Sequence, residues 1–356
     1  MKNVKQWINP GIRSMRPYHV PPASDMIKLD AMENPYAWPE DLKQEWHVVL
    51  DAVALNRYPD PQASQLKESL RKVMAIPAEA GFMLGNGSDE LIQILAMAMA
   101  GADRHFLAPE PGFVMYRQIA QALNTGFCGV PLNPTDFTLD LPAMLAAIEK
   151  HQPALIFIAF PNNPTGNLYE RETLLEVIRR APGLVVIDEA YYAFSGQSFV
   201  PYLGEFENLL VMRTLSKSGL AGIRLGYLLG SVAVLEELEK IRLPYNINAL
   251  TQATAEFILT HSNFLEEQAR RICASRESLY AQLVCLQGIK VWPSAANFIL
   301  FRTENKTADE IYAGLRQQGI LIKNLHGTYP LLENCLRVTV GTETENQSFL
   351  EAMQQI

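Results

Sequence analysis

Apolar residues fall along this chain in two alternating patterns: short unbroken runs, and longer stretches in which they recur every three or four positions. The runs HFLAP, GFCGVPL, ALIFIAF, LVVIDEA and LLVMRTL read as strands. Between them lie helical stretches from about Tyr116 to Leu123, LPAMLAAIEKH and RETLLEVIRRA. Strict alternation of strand and helix predicts βαβ units and a mostly parallel sheet covered on both faces, an α/β core. Ahead of them, SQLKESLRKVM at 64–74 places Leu66, Leu70 and Val73 on one helical face. GNGSDELIQILAMAMAG then predicts a glycine turn feeding a helix that Ser88 or Asp89 caps and Gly101 ends, apolar nearly all round and therefore buried.

After about Leu243 the order changes. PYNINALTQATAEFIL opens a long helical stretch to roughly Leu286, followed by GIKVWPS, NFILFR, a helix from about Ala308 to Gln317, GILIKN and LRVTVG. Helices followed by antiparallel-looking strands predict a smaller α+β domain. The first forty residues are rich in proline and poor in periodicity, as suits an extended arm laid over another surface. The expected organisation is an arm at 1–40, a large domain at 41–243 and a small C-terminal domain at 244–356.

Composition narrows the functional classes. With 356 residues, 48% hydrophobic and 19% charged, the chain can bury a large core in about two domains. A formal net charge of -8 with scattered cations leaves no footprint for nucleic acid or anionic lipid. Cys128, Cys273, Cys285 and Cys335 lie far apart with no CxxC, which predicts reduced thiols, no disulfide framework and no metal site. Met1 to Pro10 lacks the apolar core of a signal peptide, and no window is apolar enough to span a bilayer, so the expected compartment is the cytoplasm.

Polar residues that close the apolar runs are the candidate chemistry, because an open α/β sheet binds ligands at its strand ends. Asp188 ends LVVID, where an unpartnered charge is costly. It suits a helix cap, an ion pair, or an anion that holds a protonated pyridine nitrogen. Tyr191, three residues on, can reach a ring substituent from the same side. LLVMRTLSKSGLAGIRLGY brings Thr214, Ser216, Lys217 and Arg224 after another strand. A lysine there is either an ordinary loop residue or, if desolvated, a nucleophile toward an aldehyde. Ser216 and Arg224 suit a phosphate, as do the amides at Gly85-Asn86-Gly87-Ser88-Asp89. No GxxxxGK[ST] or well-placed GxGxxG is present, which disfavours ATP and dinucleotides. FPNNPTGN is a plain turn or a rigid one that presents an asparagine amide.

Together, PNNPTG at 161–166, DEAY at 188–191, SK at 216–217 and Arg224 resemble the class I/II aminotransferases of fold type I, in matching order and spacing. The resemblance implies a seven-stranded, mostly parallel sheet and pyridoxal 5'-phosphate as cofactor. It implies that Lys217 carries the cofactor aldehyde as a Schiff base and serves as general base, that Asp188 pairs with the ring nitrogen, and that Asn163 and Tyr191 contact the ring hydroxyl. Ser88, Asp89, Thr214, Ser216 and Arg224 would surround the phosphate, and Phe113 would stack on the ring where members more usually carry tyrosine. Tyr58, in NRYPD, would reach the partner's phosphate across a homodimer interface.

Within that family, RPYHVP, MENPY, NRYPDP, RTLSKSGLAGIRLGY and LRVTVGT are similar to the histidinol-phosphate aminotransferases. This implies glutamate and imidazole acetol phosphate as substrates, with Arg337 and Lys323 for anionic groups and Tyr18 and Asn34 closing the pocket. The neighbouring readings are an aromatic-amino-acid aminotransferase, a phosphothreonine decarboxylase and a non-catalytic cofactor sensor.

Overall fold

The computed structural model describes residues 6–17 and 22–356, so Tyr18 lies outside the described residues. The N-terminal part contains α1 (Pro10–Arg13), β1 (Ile27–Lys28), α2 (Glu40–Asp51) and α3 (Ser64–Val73). The alternating part follows: β2 (Gly81–Asn86), α4 (Ser88–Met99), β3 (His105–Glu110), α5 (Val114–Ala122), β4 (Gly126–Pro131), α6 (Leu141–His151), β5 (Leu155–Ala159), α7 (Arg171–Arg180), β6 (Leu184–Asp188), α8 (Tyr192–Ser195), β7 (Leu209–Thr214), β8 (Leu225–Gly230) and α9 (Val232–Glu239). The remainder comprises α10 (Ala249–Leu259), α11 (Ser262–Val284), β9 (Ile289–Val291), β10 (Phe298–Thr303), α12 (Ala308–Gln317), β11 (Ile320–Leu321), β12 (Lys323–Asn324), β13 (Cys335–Thr339) and α13 (Glu343–Gln355).

Seven strands form one sheet in the order β2-β8-β7-β6-β5-β3-β4. The neighbours from β4 through β7 are parallel, and β8 runs antiparallel to both β2 and β7. The unbroken apolar runs follow from helices on both faces: Leu155 and Phe157 pack into one core, while Ile156 and Ile158 of the same strand pack into the other. The second sheet is antiparallel, in the order β12-β13-β10-β9.

Several local readings change. The predicted long helix after Leu243 is two helices, α10 and α11, and the residues before Ala249 are not helical. Phe257, Ile258 and Leu259 of α10 join the core of the larger sheet, whereas Leu279 and Leu283 of α11 join that of the smaller one. The helix expected from Tyr116 begins at Val114. Neither Ser88 nor Asp89 caps α4: Gly87 is the cap residue, and the two polar residues form the first turn. Within the proline-rich first forty residues, β1 pairs in parallel with β11.

Candidate active site

The carboxyl ends of β3, β5, β6 and β7 deliver Phe113, Asn163, Asp188 and Thr214 to one side of the large sheet. Of the residues expected around a cofactor, all but Tyr58 line a single cavity there, together with Met32.

Lys217 follows β7 in a short 3-10 turn that Gly219 closes at φ 102. Its Nζ donates to the Ala31 carbonyl at 3.2 Å. Burial, reinforced by the Arg337 charge, lowers the ammonium pKa to about 8 from the usual 10.5, so the amine is available as a nucleophile and base near neutral pH.

Asp188 is buried, and burial raises its carboxyl to about 6. Two donors act in the opposite direction: Tyr116 Oη reaches Oδ2 at 2.6 Å, and the Ala190 amide reaches Oδ1 at 3.1 Å. The neighbouring Glu189 takes the structural part that was the alternative for Asp188. It forms a buried ion pair with Arg213 Nε at 2.8 Å, and Arg213 Nη2 reaches Ser198 at 2.7 Å.

An anion cradle lies at the start of α4. Ser216 Oγ sits 2.9 Å from Thr214 Oγ1 and accepts from Arg224 Nη1 at 3.4 Å, while Arg224 Nη2 lies 3.3 Å from Asp89. The glycines matter here by their missing side chains. A Cβ on Gly87, whose φ is 78, would stand 2.4 Å from Arg224 Nη2, and one on Gly226 would stand 2.7 Å from the Ser88 nitrogen. The helix start, a hydroxyl and a guanidinium thus converge with space between them, which fits a phosphate.

Asn163 Nδ2 donates to Tyr191 Oη at 3.1 Å, and its Oδ1 accepts from Arg337. Arg337 Nη2 also donates to the Asp30 carbonyl at 3.0 Å. Lys323 faces Arg337 across the β12–β13 ladder, and both line an adjoining cavity of about 550 Å³ that shares Met32, Phe113 and Asn163 with the first.

Asn34 lines neither cavity: its amide donates to Gln268 at 2.8 Å and its oxygen accepts from the Tyr36 amide. Tyr58 is 80% exposed and stacks on Tyr245 with ring centroids 4.4 Å apart. Sequence reasoning passed over Tyr116, Met32 and Glu110, which also line these cavities. Tyr116 stands one helical turn after Phe113, a spacing that core residues of an amphipathic helix share, so it carried no distinct signal. Among the described residues no His, Cys, Asp or Glu cluster could hold a metal, and no helix is long and apolar enough to cross a membrane.

The model for the aminotransferase class I and II family matches residues 24–353, and the chain belongs to that family. It is 55% identical to histidinol-phosphate aminotransferase 2 of Nitrosococcus oceani, over 99% of this chain and 97% of that protein. It is 51% identical to histidinol-phosphate aminotransferase of Chromobacterium violaceum, over 99% and 98% of the two chains. Histidinol-phosphate aminotransferase from Sinorhizobium meliloti, solved in complex with pyridoxal-5'-phosphate, shares the fold with a TM-score of 0.86 at 24% identity, covering 98% of each chain.

Proposed function

We propose that the chain is a pyridoxal-phosphate-dependent aminotransferase that moves an amino group reversibly between glutamate and imidazole acetol phosphate, yielding histidinol phosphate and 2-oxoglutarate in histidine biosynthesis. The observation that carries this reading is Lys217, a half-buried side chain whose amine has a pKa lowered to about 8, facing a cavity that a buried carboxylate and an anion cradle also line. The names of the relatives at 51–55% identity support the choice of substrate.

Bound pyridoxal phosphate supplies an aldehyde that condenses with amines and a ring that takes up electron density when a proton leaves the attached carbon. The Ser88 and Asp89 backbone amides at the helix start, with Ser216 and Arg224, would hold the phosphate, with Thr214 bracing Ser216. Asp188 would accept a hydrogen bond from the protonated ring nitrogen, which keeps its proton; Asn163 and Tyr191 would serve the ring hydroxyl, and Phe113 would lie against the ring. Lys217 would hold the aldehyde through Nζ, and the same amine is placed to accept and return the substrate's α-proton. Arg337 binds the glutamate carboxylate, and the Lys323–Arg337 pair attracts the substrate phosphate in the adjoining cavity. Tyr18 and Asn34 are assigned to the substrate side.

The same proposal includes a homodimer in which Tyr58 serves the partner's site, a cytoplasmic location suited to a biosynthetic enzyme, and functional units at 1–40, 41–243 and 244–356. Borohydride reduction of the pyridoxal-phosphate-loaded protein, followed by peptide mass analysis, tests the cofactor assignment. The phosphopyridoxyl mass is expected on the peptide containing Lys217; a label elsewhere, or none, contradicts it.

A further inference from the structure

We infer that Tyr116 is the positioning residue of Asp188: its hydroxyl fixes the carboxylate as an acceptor, so that the site holds a ring nitrogen only when that nitrogen carries a proton. The inference rests on the pyridoxal-phosphate reading and concerns a residue that lines the larger cavity, not the one around Lys217.

The Asp188 carboxyl meets two donors, the Tyr116 hydroxyl on Oδ2 at 2.6 Å and the Ala190 amide on Oδ1 at 3.1 Å. An ionised carboxylate accepts both bonds, whereas a carboxylic acid would need an acceptor for its own proton. What is left is acceptor capacity alone, which a bare pyridine nitrogen, itself an acceptor, cannot use.

Without help the carboxylate would be hard to keep ionised. Burial pushes it upward, and the charges of Asp89 and Glu189 push the same way; the Tyr116 hydroxyl is the foremost group opposing them. The proton of this bond stays on the phenol, because burial and the Asp188 charge hold Tyr116 well above its usual range. The phenol is also fixed in direction. Its ring stacks on Phe157 with centroids 4.5 Å apart and planes within 3°, and meets Phe113 edge-on at 5.4 Å. Tyr116 itself is 2% exposed. A hydroxyl clamped in this way aims one lone donor at one carboxylate oxygen, and the carboxylate cannot rotate without breaking a charge-assisted bond.

The test is a double-mutant cycle on cofactor affinity. Tyr116→Phe keeps the stacked ring and removes only the hydroxyl, and unfolding of each cofactor-free variant shows whether the fold is retained. Dissociation constants for pyridoxal phosphate are measured by equilibrium dialysis for the wild type, Tyr116→Phe, Asp188→Asn and the double variant. Loss of a hydrogen bond to a charged group is expected to weaken binding about tenfold in the wild-type background. In the Asp188→Asn background the same substitution should change affinity by less than about twofold, because no charge remains to be held. Unchanged affinity in Tyr116→Phe, or an equal loss in both backgrounds, overturns the inference and leaves the cofactor assignment standing. A wild-type protein that binds no pyridoxal phosphate overturns both.

Discussion

Lys217 donates to the carbonyl oxygen of Ala31, a residue 186 positions earlier in the chain. The carbonyls on either side are also engaged: Asp30 accepts from Arg337 and Met32 from Asn297, each at 3.0 Å. Three successive carbonyls of one irregular segment thus hold the lysine beside the large sheet and two residues of the smaller sheet's side. Met32 sustains a φ of 54, costly for a side chain with a Cβ, and its sulfur accepts from Tyr191 Oη at 3.2 Å.

Lys217→Met should lower transamination by at least about 10²-fold through loss of the general base, measured under single-turnover conditions. The same change should stabilise the cofactor-free protein at pH 7. The folded-state pKa near 8 lies below the usual 10.5, so the folded state bears the cost of the buried charge in full below pH 8. Between about pH 8 and 10.5 the unfolded chain binds more protons and wild-type stability rises with pH. The advantage of the variant, about 3 kcal/mol at neutral pH, should therefore shrink toward pH 10.5 in urea unfolding.

Arg337→Gln removes a buried guanidinium bonded to Asn163 and Asp30. The expected loss in kcat/KM is on the order of 2–4 kcal/mol, for glutamate and for histidinol phosphate alike. A loss confined to one substrate in steady-state kinetics would separate the carboxylate role from the phosphate role.

Glu189→Gln breaks the buried pair with Arg213 directly behind Asp188 and strands a guanidinium that also lies 3.6 Å over the Tyr192 ring. Leaving one buried charge uncompensated should cost about 3–5 kcal/mol in denaturant unfolding, with cofactor affinity falling as β6 loosens.

Tyr58→Ala removes the exposed ring stacked on Tyr245. If the proposed dimer uses this ring, light scattering should show the variant dissociating to monomer at concentrations where the wild type stays dimeric, with weaker cofactor binding in the same samples.

Much of this was legible in the chain because the cost of burying charge marks itself. Asp188 and Lys217 stood out as ionisable groups closing apolar runs; the first is buried, the second half-buried, and desolvation displaces the pKa of both. The sheet was legible because helices on both faces demand unbroken apolar strands, as in β5. Tyr116 was not, since a phenol on an amphipathic helix looks like core until its hydroxyl is seen to meet Asp188. The Asp30–Met32 segment has no periodicity, and its function lies in carbonyl groups that every residue possesses. The contact of the Asn34 amide with Gln268, 234 positions away in the chain, is visible only in three dimensions. Gly87 read as a turn; its lack of a Cβ, which admits Arg224, emerges only in three dimensions.

The central claim is tested most directly by kcat/KM of the pyridoxal-phosphate-loaded protein for histidinol phosphate with 2-oxoglutarate, following glutamate formation, with phenylalanine and tyrosine as alternative donors. The account predicts a strong preference for histidinol phosphate, carried by the Lys323–Arg337 pair. Equal or better turnover of the aromatic donors, or no glutamate from any of them, would contradict it.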